Sequence, residues 1–464
     1  MVVRRLPEVL LVASLALAGG EVGGGHTVAQ DPPPAPPAQD EKGEDEKGPA
    51  DGEDAAPGPV VLDRQETANL VATWASSEGQ WTVQGLVLVS LGESWSPEAA
   101  PMLLEALTGK RKELAAFALE RLRVANDMCL ASTATAGIVE HLIEEALADR
   151  DAYVSGLAQT VLERLFPTAD CDKRAKWQAH WRATKETYKP GQWVAPPPKA
   201  EDGPKRTVAG AVGRALDLRE AGLDLCFCVD STGSMQPMLD ATAGAAAELT
   251  ALLQGFAPEL RVAAVFYKDQ EDISGGAKAV HELTDKFDKV FRKIGDLSAD
   301  GGGDIPEAVE AGLAVALDPR EVGWSATTNK LVIVMGDAPP HPPNVPVAVE
   351  LARVASTSGV DFAKLKKRPS TGTAERARPV VVSCIGVAPG TVPPDTQDAF
   401  EQIAAAGGGA YAALSLGGGE SGMKRASQDI VRQVLRMAFG SRWEDEVDEF
   451  LDVYFAYRER GWFD

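Results

Sequence analysis

Residues 223–235 read LDLCFCVDSTGSM, an apolar strand-like run from Leu223 to Val229 that ends on Asp230 and continues with hydroxyls at Thr232 and Ser234. Further strand-like runs follow outward along the chain, at Val262 to Tyr267, Leu331 to Met335 and Val380 to Val387, with weaker ones at Ala277 to Leu283 and Ala410 to Leu414. Helical patterns lie between them, notably Met238 to Leu253, Pro306 to Leu317, Val345 to Ser356 and Thr396 to Ala406. Near-continuous apolar strands separated by helices predict an α/β domain with a doubly wound, mostly parallel sheet covered on both faces. Ligands of such sheets sit beyond the carboxyl ends of the strands, where strand order reverses. Asp230, Thr232 and Ser234 occupy that position, and their alternation lets three oxygens converge. A carboxylate with neutral hydroxyls suits a hard cation such as Mg2+, with Mn2+ or Ca2+ as alternatives; zinc would call for imidazole or thiolate. Either hydroxyl taken alone is more often a helix cap.

The run Asp230-x-Thr232-x-Ser234 resembles the D-x-S/T-x-S motif of von Willebrand factor type A domains, whose metal-ion-dependent adhesion site (MIDAS) it forms. The resemblance covers residues 222–439, about half the chain. It implies strand order 3-2-1-4-5-6, which would bring Asp337, in the run Gly336-Asp337-Ala338-Pro339-Pro340, beside Asp230 as the last carboxylate of the metal set. The family's middle loop normally supplies threonine after two glycines; here Gly301-Gly302-Gly303 is followed by Asp304. That departure resembles the branch containing hemicentin-type and alpha-kinase-associated A domains, although no kinase signature follows. With Asp230, Asp304 and Asp337 around one divalent ion, most of its charge would be cancelled and its pull on an outside carboxylate weakened. Asp269 and Asp272 follow the second strand and read first as surface loop, and His341, after Pro339 and Pro340, reads first as structural, with facing a ligand as the alternative.

The chain has 464 residues, a prior for two or three domains. Its formal charge of -22 opposes nucleic acid and anionic lipid as partners. Arg4 and Arg5 followed by the apolar run Val9 to Ala18, with small-residue sites ending at Ala18 and Ala29, have the layout of a signal peptide over residues 1–29. Export to a periplasmic or extracellular location is therefore expected. No other apolar run approaches the roughly 20 residues of a membrane span. Residues 30–60 carry nine carboxylates against two lysines amid Pro, Ala and Gly, the composition of a disordered acidic linker.

Residues 61–190 read as short helices, with Glu105-Ala106-Leu107 and Glu120-Arg121-Leu122 recurring as Glu145-Ala146-Leu147 and Glu163-Arg164-Leu165 after 40 to 43 residues. This region resembles HEAT repeats in period and helix pattern. Trp177 and Trp181, with Trp193, are expected to close the end of the stack or form a docking face. A Pro-rich linker over 191–207 leads to the A domain, 208–441, and an aromatic, acidic helix, 442–464, is expected to pack on the A domain or the helical region. Between Asp361 and Pro379 a basic excursion, Lys364 to Arg378, reads as a solvated insertion. Five cysteines include no C-x-x-C; Cys226 and Cys228 should share a core face, while Cys129 and Cys171 are either bridged or independent thiols.

Three functions fit: an exported module whose metal binds an acidic group on a protein or cell-envelope polymer, a metal-assisted hydrolase, or a scaffold whose metal only orders loops. Against an enzyme, the sequence has no H-E-x-x-H and no nucleophile elbow.

Overall fold

The computed structural model describes residues 61–196, 210–269, 276–297, 299–301, 305–360, 378–417 and 419–460. The expected leader and acidic linker, and the basic excursion apart from Arg378, lie outside them. The first described part is helical: α1 (Arg64–Ser76), α2 (Trp81–Val89), α3 (Ala100–Thr108), α4 (Lys112–Val124), α5 (Asp127–Thr133), α6 (Ala136–Glu144), α7 (Ala152–Leu165) and α8 (Arg174–Thr184). Neighbouring helices pack in pairs, α3 on α4 and α6 on α7. Several starts are fixed by side-chain caps: Asp63 and Glu66 form a reciprocal capping box on α1, and Asn126, Thr135 and Asp151 cap α5, α6 and α7. Trp177 and Trp181 are buried and pack with Phe166, His180 and Tyr188, so they close this end of the stack. Trp193 lies under the Arg64 guanidinium.

After α9 (Gly210–Ala221) come β1 (Leu223–Asp230), α10 (Gln236–Phe256), β2 (Leu260–Tyr267), β3 (Ala277–Thr284), α11 (Phe287–Gly295), α12 (Val309–Ala316) and α13 (Pro319–Val322). The chain continues through β4 (Asn329–Gly336), α14 (Val345–Ser358), β5 (Val380–Ala388), α15 (Pro394–Ala406), β6 (Gly408–Ser415), α16 (Gly419–Phe439) and α17 (Glu444–Arg460). The sheet order is β3-β2-β1-β4-β5-β6; β3 runs antiparallel to β2, and the other pairs are parallel. This is the doubly wound α/β class. All eight residues of β1 are buried, which explains its apolar reading from Leu225 to Val229. Side chains of α10, α11 and α16 cover one face, and those of α12, α14 and α15 the other.

The helix expected from Pro306 begins only at Val309. Glu307 instead pairs with the segment after β4, its N–H donating to Pro339 O at 3.0 Å, which holds the backbone out of the helix. Cys226, Cys228 and Cys384 share one buried face, as small core residues do. Cys129 and Cys171 are free thiols. The Cys129 sulfur is buried and placed 3.4 Å from both the N and the O of Trp95, and burial pushes its pKa up to about 11.

At the base of the sheet Asp224 is wholly buried and fully used: Arg261 donates twice, at 2.8 and 2.6 Å, and Ser325 N and Thr328 Oγ1 donate at 2.9 and 2.8 Å. Removing Asp224 leaves the buried Thr328 hydroxyl without its acceptor while Arg261 and Ser325 reach solvent, so Asp224→Ala is expected to cost about 1–3 kcal/mol. Urea unfolding of the variant against wild type measures it.

Candidate metal centre

Parallel pairing of β1 with β4 sets Val229 opposite Met335, so both strands release their chains at the same height, one into Asp230 and the other into Asp337. Gly336 makes this close approach possible: a Cβ there would run into the Tyr267 hydroxyl and stand 3.4 Å from the Asp230 Cβ. Tyr267 is wholly buried and donates its hydroxyl to Met335 O at 3.2 Å, tying β2 to β4 across β1 just below the site.

Asp230 itself is 0 % exposed. Its Oδ1 accepts from the Thr232 N–H at 2.8 Å and from Thr232 Oγ1 at 2.7 Å, and Thr232 Oγ1 lies 3.5 Å from Ser234 Oγ. The three oxygens therefore do converge, from the floor of the site to its exposed lip at Ser234. Neither hydroxyl caps a helix. Thr232 precedes the short turn Gly233–Met235 without a side-chain cap bond, and α10 starts after Met235 with none either. The second carboxylate oxygen, Asp230 Oδ2, is buried with no hydrogen-bond partner in the structure. A buried acceptor left this way carries a desolvation cost of about 1–3 kcal/mol, more for a charged group. A cation coordinated there would relieve it.

Burial drives the Asp230 carboxyl up from 3.8 to about 7; the two Thr232 hydrogen bonds oppose the rise, the Asp337 charge adds to it and Lys268 opposes it. Asp337 is half-buried and near enough for its charge to act on Asp230; its backbone O accepts from Thr396 Oγ1 at 3.2 Å. Asp304 lies outside the described residues, as does Asp272. The middle loop reaches the first one immediately before that gap, where the Gly233 N–H donates to Gly301 O at 3.3 Å. Asp269, read from the sequence as surface loop, and His341, read as structural, meet each other at 3.2 Å. No group of three or more His, Cys, Asp or Glu side chains able to hold a metal occurs among the described residues, which leave out Asp304. Sequence reading missed Lys268, Asp300 and Tyr267; a lysine and an aromatic at a strand end carry no pattern that separates a structural role from a solvated one.

No protein-family model matches this chain, and no curated protein matches it. Solved structures do align with part of it. They include the conserved hypothetical protein BatB from Bacteroides thetaiotaomicron, 17% identical over 46% of this chain and 100% of that one, TM-score 0.32. The SpRpn10 VWA domain aligns at 9% identity over 45% of this chain and 94% of that one, TM-score 0.31. The pilus adhesin SpaC from Lactobacillus rhamnosus GG, in an open conformation, aligns at 11% over 49% of this chain and 30% of its own length, TM-score 0.32.

The raised Asp230 pKa fixes a pH dependence. The folded state keeps this proton to about 7 and the unfolded chain loses it near 3.8, so between those values the folded state binds more protons and stability falls as pH rises. A divalent ion held at Asp230 would require the ionised form, so any melting temperature gained on adding magnesium would be small at pH 5 and reach its full size by pH 8, measured by scanning calorimetry against chelator at each pH.

Proposed function

We propose that the chain is a von Willebrand factor type A protein whose MIDAS-like site binds a partner through a divalent cation. Asp230, Thr232, Ser234 and Asp337 would hold Mg2+, directly or through water, with Asp304 as a further carboxylate. The buried, unpartnered Oδ2 of Asp230, with the Thr232 and Ser234 hydroxyl oxygens beside it on the same loop, carries this reading. Bound there, a divalent ion supplies an open coordination position to an acidic group on a protein or cell-envelope polymer. The preceding helices, HEAT-like in their period, serve as the platform that presents the site. The basic and apolar start of the sequence supports export to the periplasm or outside the cell. No described helix is long and apolar enough to cross a membrane.

Calorimetric titration with magnesium and manganese tests the metal, and capture from cell-envelope extract tests its use. Capture is expected in magnesium, and its loss in chelator and in the Asp230→Asn variant. Metal binding with metal-independent capture would leave the ion no part in recognition. Asp304→Thr tests the third carboxylate, with weaker magnesium binding expected.

A further inference from the structure

Lys268 is the first residue after β2 and stands 8 % exposed, unusual for a lysine. Its backbone N–H donates to Gly276 O at 3.0 Å, which anchors the residue at the rim of the sheet. Its ammonium group turns inward and donates to Asp300 twice, to the backbone O at 2.6 Å and to the carboxylate. Asp300 precedes Gly301, whose carbonyl receives the Gly233 N–H between Thr232 and Ser234. On the other side of Asp300, the Ala299 N–H donates to Gln236 Oε1 at 2.9 Å, at the start of α10. A continuous path of hydrogen bonds thus runs from the end of β2, through the ammonium and the middle loop, into the loop that carries the metal-binding oxygens.

We propose that Lys268 is a positioning residue, an internal cation that clasps the middle loop onto the Asp230 loop before any metal arrives. Ammonium charge near Asp230 compensates part of the carboxylate charge in the metal-free protein, and the two bonds to Asp300 fix where Gly301 meets Gly233. The ion is then not needed to order these loops. It enters a site already assembled, which favours recognition over a purely structural metal. This inference rests on the metal-binding reading above, but the clasp itself is a property of the metal-free chain and is measured there.

The test is hydrogen exchange of the full-length protein in chelator and in magnesium, for wild type, Lys268→Met and Asp300→Asn. In chelator, wild type is expected to protect the amides of Gly233 and Ala299, and Lys268→Met to raise their exchange about tenfold or more while β4 and β5 stay protected. Asp300→Asn, changing a side chain 77% exposed, does not threaten folding and is expected to give a smaller rise at the same amides. Lys268→Arg should keep much of the protection, since it restores the cation and its donors. Unchanged exchange at both amides in Lys268→Met and Asp300→Asn would overturn the clasp, as would a uniform rise through the whole sheet in Lys268→Met with none at these amides in Asp300→Asn. Calorimetric titration of magnesium into the same wild-type protein separates the two readings: loops protected in chelator with no heat of magnesium binding contradict the metal site while supporting the clasp.

Discussion

Asparagine in place of Asp230 is expected to abolish the magnesium response while leaving the protein folded. At the site the carboxylate supplies a buried oxygen, Oδ2, with no hydrogen-bond partner, and its neighbours Thr232 and Ser234 offer only neutral oxygens. Disturbing even residues that merely orient metal ligands costs about 10–100-fold in affinity. Loss of a direct anionic ligand should therefore weaken magnesium binding by at least about a hundredfold in calorimetry. The metal-free variant should differ from wild type in one further way. With no carboxyl to titrate at position 230, the fall in stability between pH 4 and 7 should largely disappear. A variant that keeps both the magnesium response and that pH slope would mean Asp230 is not the group responsible for either.

Phe450→Ala is expected to lower stability by about 3–5 kcal/mol, the usual cost of truncating a buried phenylalanine, and to do so at a joint. Helix α17 returns from the end of the sheet domain to lie against α2, α4 and α7. Phe450 is 1 % exposed; its ring stacks on Phe117 at 4.9 Å and meets Phe256, from the far end of α10, at 5.4 Å. Trp81 stacks against both Phe450 and Tyr454, and Tyr454 donates its hydroxyl to Glu248 at 2.6 Å. One hydrophobic core runs without a break from Leu62 through this junction to one face of the sheet. Gly85 has no side chain because a Cβ would stand 2.7 Å from the Phe450 ring. Wild type should accordingly unfold in one calorimetric transition, and the alanine variant in two, with the helical region separating from the sheet domain. A single transition in both would show that the joint does not couple them.

The strands β1, β2, β4 and β5 were readable because they are buried on both faces, whereas the edge strands β3 and β6 are half-exposed and gave weaker runs. A run such as Leu331 to Met335 has no polar position to blur it, and β4 extends it only to Asn329 and Gly336. The start of β6 was less clear, since Gly408 and Gly409 give no apolar signal; Gly408 takes φ +65° and Gly409 packs against the Val382 backbone with no room for a Cβ. At the site, Asp230, Thr232 and Ser234 are close in sequence and their convergence follows from local chain geometry. Asp337 needed the strand order, supplied by a resemblance rather than by the residues. Lys268 could not be read at all: its burial depends on Asp300, which folding brings to it from 32 positions away. The C-terminal aromatics pointed to packing, and the structure shows them serving both the helices and the sheet domain at once.

The most direct test of the metal site is an anomalous difference map from crystals grown in manganese. A peak within about 2.0–2.4 Å of Asp230 Oδ2, with the Thr232 and Ser234 hydroxyls turned to it, is the expected result. No peak at that position, with Oδ2 still buried and uncoordinated at pH 8, would contradict it.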